Sequence, residues 1–181
     1  MPSEKHRIAT IPDLGTLNFK VPKLPTDSEP SIVLSEEPVD AVFNGIPIKV
    51  HIKNESSLVD DLRVELNIGV STKTQNNVAS IKIIITKGKE GTSYSGFTKV
   101  ENFDHHALKG LGRALWVLAL QLMQKFADEW HAPVVHQVAM DPKRGLSENK
   151  WRELFIPLLD NNGYQNVDKN LWKRIYIPRG K

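Results

Sequence analysis

Between residues 46 and 103 the chain repeats with a period of two, and from 111 to 126 it repeats with a period of three to four. That switch constrains the fold more than any other feature. Ile46, Ile48, Val50 and Ile52 alternate with Pro47, Lys49, His51 and Lys53 after an Asn44-Gly45 turn, and Val64, Leu66, Ile68 and Val70 alternate with Arg63, Glu65, Asn67 and Gly69. Each pattern predicts a strand with one buried face. TQNN (74–77) turns the chain into VASIKIIITK, a third strand more buried at its centre. Gly88 and Gly91 mark the turn before a fourth, SYSGFTKVENF. Connections this short predict an antiparallel meander.

Leu111, Leu115, Leu118, Leu122 and Phe126 then fall on one face of a helix, and Trp116, Val117, Ala119, Leu120 and Met123 widen its apolar surface. APVVHQVAM (132–140) predicts a short strand. SENKWRELFIPLLDNNGY (147–164) predicts a helix with Ser147 as N-cap, Gly163 as its stop and Pro157 kinking or dividing it. LWKRIYIP (171–178) supplies a last strand. The order, a strand meander followed by helix, strand, helix and strand, predicts an α+β fold.

Residues 1–40 hold six of the eleven prolines, which argues against regular helix and predicts an extended arm, with the domain proper at 41–181. Such an arm could lie along a second subunit and build a homo-oligomer. The chain has no cysteine, hence no disulfide framework or thiolate zinc site. The N-terminus lacks a secretory pattern, and the longest apolar run, Ala114 to Leu120, falls far short of the roughly 20 residues that span a bilayer, so a soluble, cytoplasmic protein without membrane contact is expected. The net charge of +3 is spread along the chain. A basic nucleic-acid-associated protein is one reading, but base stacking needs exposed aromatics beside the basic residues, and Trp116 belongs to the apolar helix.

Lys109-Gly110-Leu111-Gly112-Arg113 opens that helix. A helix N-terminus presents unpaired N–H groups and positive dipole, and glycines let an anion approach the backbone. The same pair can also serve a tight strand-to-helix turn or close helix–sheet packing. In its sequence of pieces, ALKGLG (107–112), VVHQVAM, ENKWRELFIPLLDNNGY and LWKRIYIP, the chain from about 42 to 178 resembles the Gcn5-related N-acetyltransferases. The resemblance implies an acyl-CoA N-acyltransferase-like mixed sheet that splays between the fourth strand and VVHQVAM. It implies acetyl-CoA as cofactor, its pyrophosphate held by the backbone of Lys109, Gly110, Leu111, Gly112, Arg113 and Ala114. The pantetheine arm would pair with the strand around Lys99, Val100 and Glu101, and the acceptor would be an amine on a small molecule or a protein. The sequence departs from the family at Ala107, where Gln or Arg is usual, and at Leu159, where a tyrosine acid often sits. SSLVDDL (56–62) is too short for the two helices that usually follow the first strand.

Aminolysis of a thioester needs a base for the ammonium and an acid for the leaving thiolate. Glu101, Asp104, His105 and His106 lie between the fourth strand and the glycine turn, where Glu101, His105 or His106 could serve as base; Asp104 could equally cap the helix. As a polar loop facing water, the same residues would carry no chemistry. Adjacent histidines point apart, so His105 and His106 do not make a metal site. His136 projects either into a cleft or into the core, and Tyr164 and Tyr176 are candidate acids, unless they are packing residues with a wet hydroxyl. Two readings share the fold: an acetyl-CoA-dependent N-acetyltransferase, and a catalytically degenerate binding or assembly module.

Overall fold

A sheet whose apolar residues alternate must bury one face, and a single long apolar helix is available to cover it. In the computed structural model, residues 20–35, 37–43, 45–88, 93–103, 110–139 and 148–180 are described. They form strands β1 (Ser31–Ser35), β2 (Val39–Phe43), β3 (Ile46–Ser57), β4 (Arg63–Thr72), β5 (Ala79–Lys87) and β6 (Tyr94–Phe103), helix α1 (Leu111–Trp130), β7 (Val134–Ala139), helix α2 (Glu148–Asn161), β8 (Gln165–Asp168) and β9 (Leu171–Tyr176). The fold is mixed α+β around one open sheet of order β1-β3-β4-β5-β6-β7-β9-β8. β2 pairs with Ile46–Val50 of β3, on the edge that β1 occupies further along. Every registered pair is antiparallel except β6 with β7.

The alternation carries the core. Register sets Ile52 opposite Ile68 and Ile68 opposite Ile81, so the buried residues of β3, β4 and β5 share one face. α1 lies on that face. It approaches β6 so closely that a Cβ on Gly96 would stand 3.0 Å from Met123 Sδ, which is why a strand interior holds glycine there. Leu111, Leu115, Leu118, Leu122 and Phe126 are buried, and so are Ala114, Trp116, Ala119, Leu120, Met123 and Ala127. A helix buried this widely needs cover beyond the sheet. The extended segment from Lys20 to Pro25 gives part of it: Pro22 and Pro25 are buried, and the Trp130 indole donates to the Pro22 carbonyl at 3.0 Å. The same segment seals the core face of β3, where buried Asn54 donates through Nδ2 to the Lys20 carbonyl at 3.1 Å. Leu58–Leu62, joining β3 to β4, contains no helix.

Three features differ from the sequence expectation. Two strands lie in the proline-rich stretch, because Pro30 and Pro38 precede β1 and β2 and leave their ladders intact. β8 is a fully exposed edge strand, QNVD, with no apolar alternation to announce it. Pro157 does not divide α2, which runs on to Asn161. Pro157 and Glu153 are both exposed, so the carbonyl freed by the proline can meet water. No helix among the described residues is long and apolar enough to cross a membrane.

The C-terminal residues 177–180 return along α1. Gln124 donates to the Ile177 carbonyl at 2.9 Å, and Arg179 makes two guanidinium contacts and a backbone contact to Asp128. Hydrogen bonding from Arg179 holds the Asp128 carboxyl down at about 2, against an ordinary 3.8. The contribution is therefore complete above 3.8 and is lost as the pH falls toward 2. Because the pair is mostly exposed, Asp128→Asn should cost less than about 1 kcal/mol of global stability, yet speed amide exchange at Arg179. Unchanged exchange at that amide would show that the tail is held by other contacts.

Candidate functional site

The site is defined by where the sheet stops being continuous. β6 and β7 are in register from Tyr94–Val134 to Phe97–Gln137 and no further. β6 continues to Phe103 along β5, and β7 to Ala139 along β9. Beyond Phe97 and Gln137 the facing edges of 98–103 and 138–139 have no strand partner among the described residues, so their backbone N–H and C=O groups are open to one. β6 is also bulged: Ile81 pairs with Val100 and Ser80 with Asn102, which leaves Glu101 as the extra residue. A bulge bends its strand and increases the local twist, in keeping with this divergence.

α1 opens at Gly110, with φ 89° and ψ −6°, and no side chain caps it. Its first turn carries no acidic residue, so the positive end of the helix is not neutralised from within. A Cβ on Gly110 would meet only Phe43, at 3.8 Å; the left-handed backbone, rather than crowding, calls for glycine. Of the other phosphate-binding candidates, Leu111 and Ala114 are buried in the core and could offer only backbone groups, while Gly112 is half-buried. Arg113 stands on α1, and Val100 and Glu101 on β6, as backbone positions whose side chains fall outside the description. Lys109, His105 and His106 lie outside the described residues.

The structure gathers three candidates that the sequence named separately. β7 places His136 on the α1 face, opposite Gly96 of β6 and Arg174 of β9, and the ring is fully buried. Its Nδ1 hydrogen-bonds the Tyr164 hydroxyl, which hydrogen-bonds the Tyr176 hydroxyl at 3.0 Å. Neither hydroxyl is wet. Tyr164 follows the left-handed Gly163 that ends α2, and its ring lies 5.9 Å from that of Trp116. The Arg174 guanidinium sits 4.3 Å above the Tyr176 ring and donates to the Asn162 carbonyl at 2.6 Å. Burial lowers His136 to about 3, so the imidazole is neutral at physiological pH. Burial pushes both tyrosine hydroxyls up and keeps them protonated. His136 Nε2 is buried with no hydrogen-bond partner among the described residues.

Alternation could have shown part of this grouping: Trp172, Arg174 and Tyr176 share a face of β9, as Val134, His136 and Val138 do on β7. The pairing of β7 with β9 was not visible locally. Arg174 also lines a shallow cleft of about 370 Å³ with Gly163, Lys173 and Ile175. A second cleft of about 500 Å³, lined by Asp60, Asp61, Arg63 and Lys87 among others, lies at the opposite end of β5 and carries mixed charge. Trp116, Trp130 and Trp172 are buried, so none of these three is free to stack on a base. Compared with family models, curated proteins and solved structures, the chain matches none.

A neutral buried histidine has a readable thermodynamic consequence. Its folded pKa lies below its unfolded one, so stability is complete above 6.5 and is lost as the pH falls toward about 3. Between about pH 6.5 and about pH 4.5 the parent should lose about 2 kcal/mol more than His136→Gln, measured by urea unfolding. Equal losses would mean that water reaches the ring.

Proposed function

We propose that this protein is an acetyl-CoA-dependent N-acetyltransferase-like protein that transfers an acetyl group to an amine on a small molecule or a protein. The observation that carries the proposal is the parting of β6 from β7 beyond Phe97 and Gln137. An acyl-CoA N-acyltransferase-like arrangement is further supported by the strand order from β3 to β8, with one parallel pair joined through α1. The free edge of β6 can pair with an extended amide chain, and the uncapped, glycine-opened start of α1 suits a pyrophosphate.

Bound acetyl-CoA would supply an activated acyl thioester. The backbone from Lys109 to Ala114 would hold its phosphates, and residues 98–103 its pantetheine amides. Glu101, His105 and His106 are the candidate bases for the incoming ammonium. Tyr164 is the candidate acid, kept in its protonated form by burial.

The degenerate module is favoured by two observations: the extended segment from Lys20 covers the core beside β3, and the β3–β4 connection holds no helix that could shape an acceptor site. Leu159, buried in the core, cannot act as an acid.

Calorimetric titration with acetyl-CoA and free coenzyme A tests the proposal, and turnover with amines separates its two forms. Binding on the order of micromolar is expected, weakened at least about tenfold by Gly112→Val, which leaves the left-handed Gly110 in place. No binding at millimolar ligand, or binding unaffected by Gly112→Val, would overturn the phosphate role of this turn.

A further inference from the structure

His136 stands where the sheet opens. Its register partner Gly96 is one residue short of the last paired position of β6, and Arg174 flanks it on β9. The hydroxyl chain running from it has a direction, set by which of its polar groups find partners. The Arg174 guanidinium lies over the Tyr176 ring and donates to the Asn162 carbonyl. In one direction Tyr176 gives its proton to Tyr164, and Tyr164 gives its proton to His136 Nδ1. In that direction both hydroxyl protons have acceptors, and the imidazole proton is on Nε2. The reverse direction leaves two groups unmet, the Tyr176 O–H and the Nε2 lone pair, and buried polar groups without partners are rare. One donor is therefore left over, a fully buried Nε2–H with no acceptor among the described residues.

We propose that His136 is a fixed neutral donor whose Nε2–H takes the carbonyl oxygen of the acyl group in the opening between β6 and β7, an inference that rests on the acyltransferase function proposed above. A neutral N–H is suited to an oxygen that gains negative charge and not to an ammonium, which identifies the ligand side as the acyl group rather than the amine. No proton leaves Nε2; the amine nitrogen gives up protons to a base as it bonds to the acyl carbon, the carbon–sulfur bond breaks with its electron pair on sulfur, the thiolate takes up one proton from water, and His136 meets the charge that develops on oxygen between those events. Tyr164 and Tyr176 are positioning residues, because they act by fixing the tautomer. For Tyr164 this replaces the role of acid.

The test pairs a tautomer measurement with a ligand comparison. Nitrogen-15 NMR of the histidine-labelled parent should show His136 protonated at Nε2 and unchanged from about pH 8 to about pH 5.5. In Tyr164→Phe, part of the proton should move to Nδ1. The parent should bind S-(2-oxopropyl)-coenzyme A about tenfold or more tighter than S-propyl-coenzyme A, which lacks the carbonyl, and in His136→Phe the ratio should fall to about one. A proton on Nδ1 in the parent, or a carbonyl preference that survives in His136→Phe, overturns the inference. Equal affinity of the parent for both analogues overturns it alone. Failure of both analogues and of free coenzyme A to bind overturns the acyltransferase function and the inference with it. If His136→Phe does not fold, the tautomer of the parent decides.

Discussion

Two parallel strands cannot be joined by a tight turn, and this chain places one parallel pair within an otherwise antiparallel sheet. The connection from β6 to β7 must cross the face of the sheet, and α1 is that crossing. Its position follows from the crossing: it must lie flat over β5, β6 and β7, close enough that Gly96 yields space to Met123. Burial on several sides follows in turn, and with it the need for cover by the segment around Pro22 and by the tail around Ile177. The opening follows too, since β6 and β7 stay together for four registered pairs and then go separate ways along β5 and β9.

At the mouth of that opening the protein keeps polar chemistry dry. A buried imidazole is tolerable because it is neutral and because one of its nitrogens is matched to a hydroxyl. The cluster also ties the turn after α2, which no sheet register places, to the paired strands β7 and β9. Tyr164 comes from the turn after α2, His136 from β7 and Tyr176 from β9. The angle at which α2 ends is thereby coupled to the strand that borders the opening. Gly163, in the left-handed region, makes that turn sharp enough to bring Tyr164 back toward Trp116.

What was legible in the sequence was each element's own periodicity. Ile48, Val50 and Ile52 announced their shared face, and the leucines of α1 announced theirs, because burial repeats at the period of the backbone. What was hidden depends on partners far along the chain. β1 is short and its three central residues are all apolar, with no alternation, so only its pairing with β3 makes it a strand. Asn54 continues the buried alternation of β3 as a polar residue, and nothing near it signals that Lys20 will supply its acceptor. His136 could be placed on the face of Val134, but Tyr164 is 28 residues away, and the meeting of the two is a property of the sheet order. The glycines were legible as a helix opening. That Gly110 answers to a backbone angle rather than to crowding depends on the tertiary setting of the turn, which no local pattern encodes.

The contact between Trp130 and Pro22 spans 108 residues, and it bears on how the chain is made. The ribosome delivers the proline-rich segment long before the helix end that will receive it exists. At about 5 to 20 residues per second, the segment waits about 5 to 20 seconds for its docking surface. Its prolines suit that interval: they keep it extended and deprive it of backbone donors, so it has little to offer a misplaced strand while β3 to β6 assemble. A segment made early is thus among the last to find its place, and it closes the molecule over a helix end made 108 residues later.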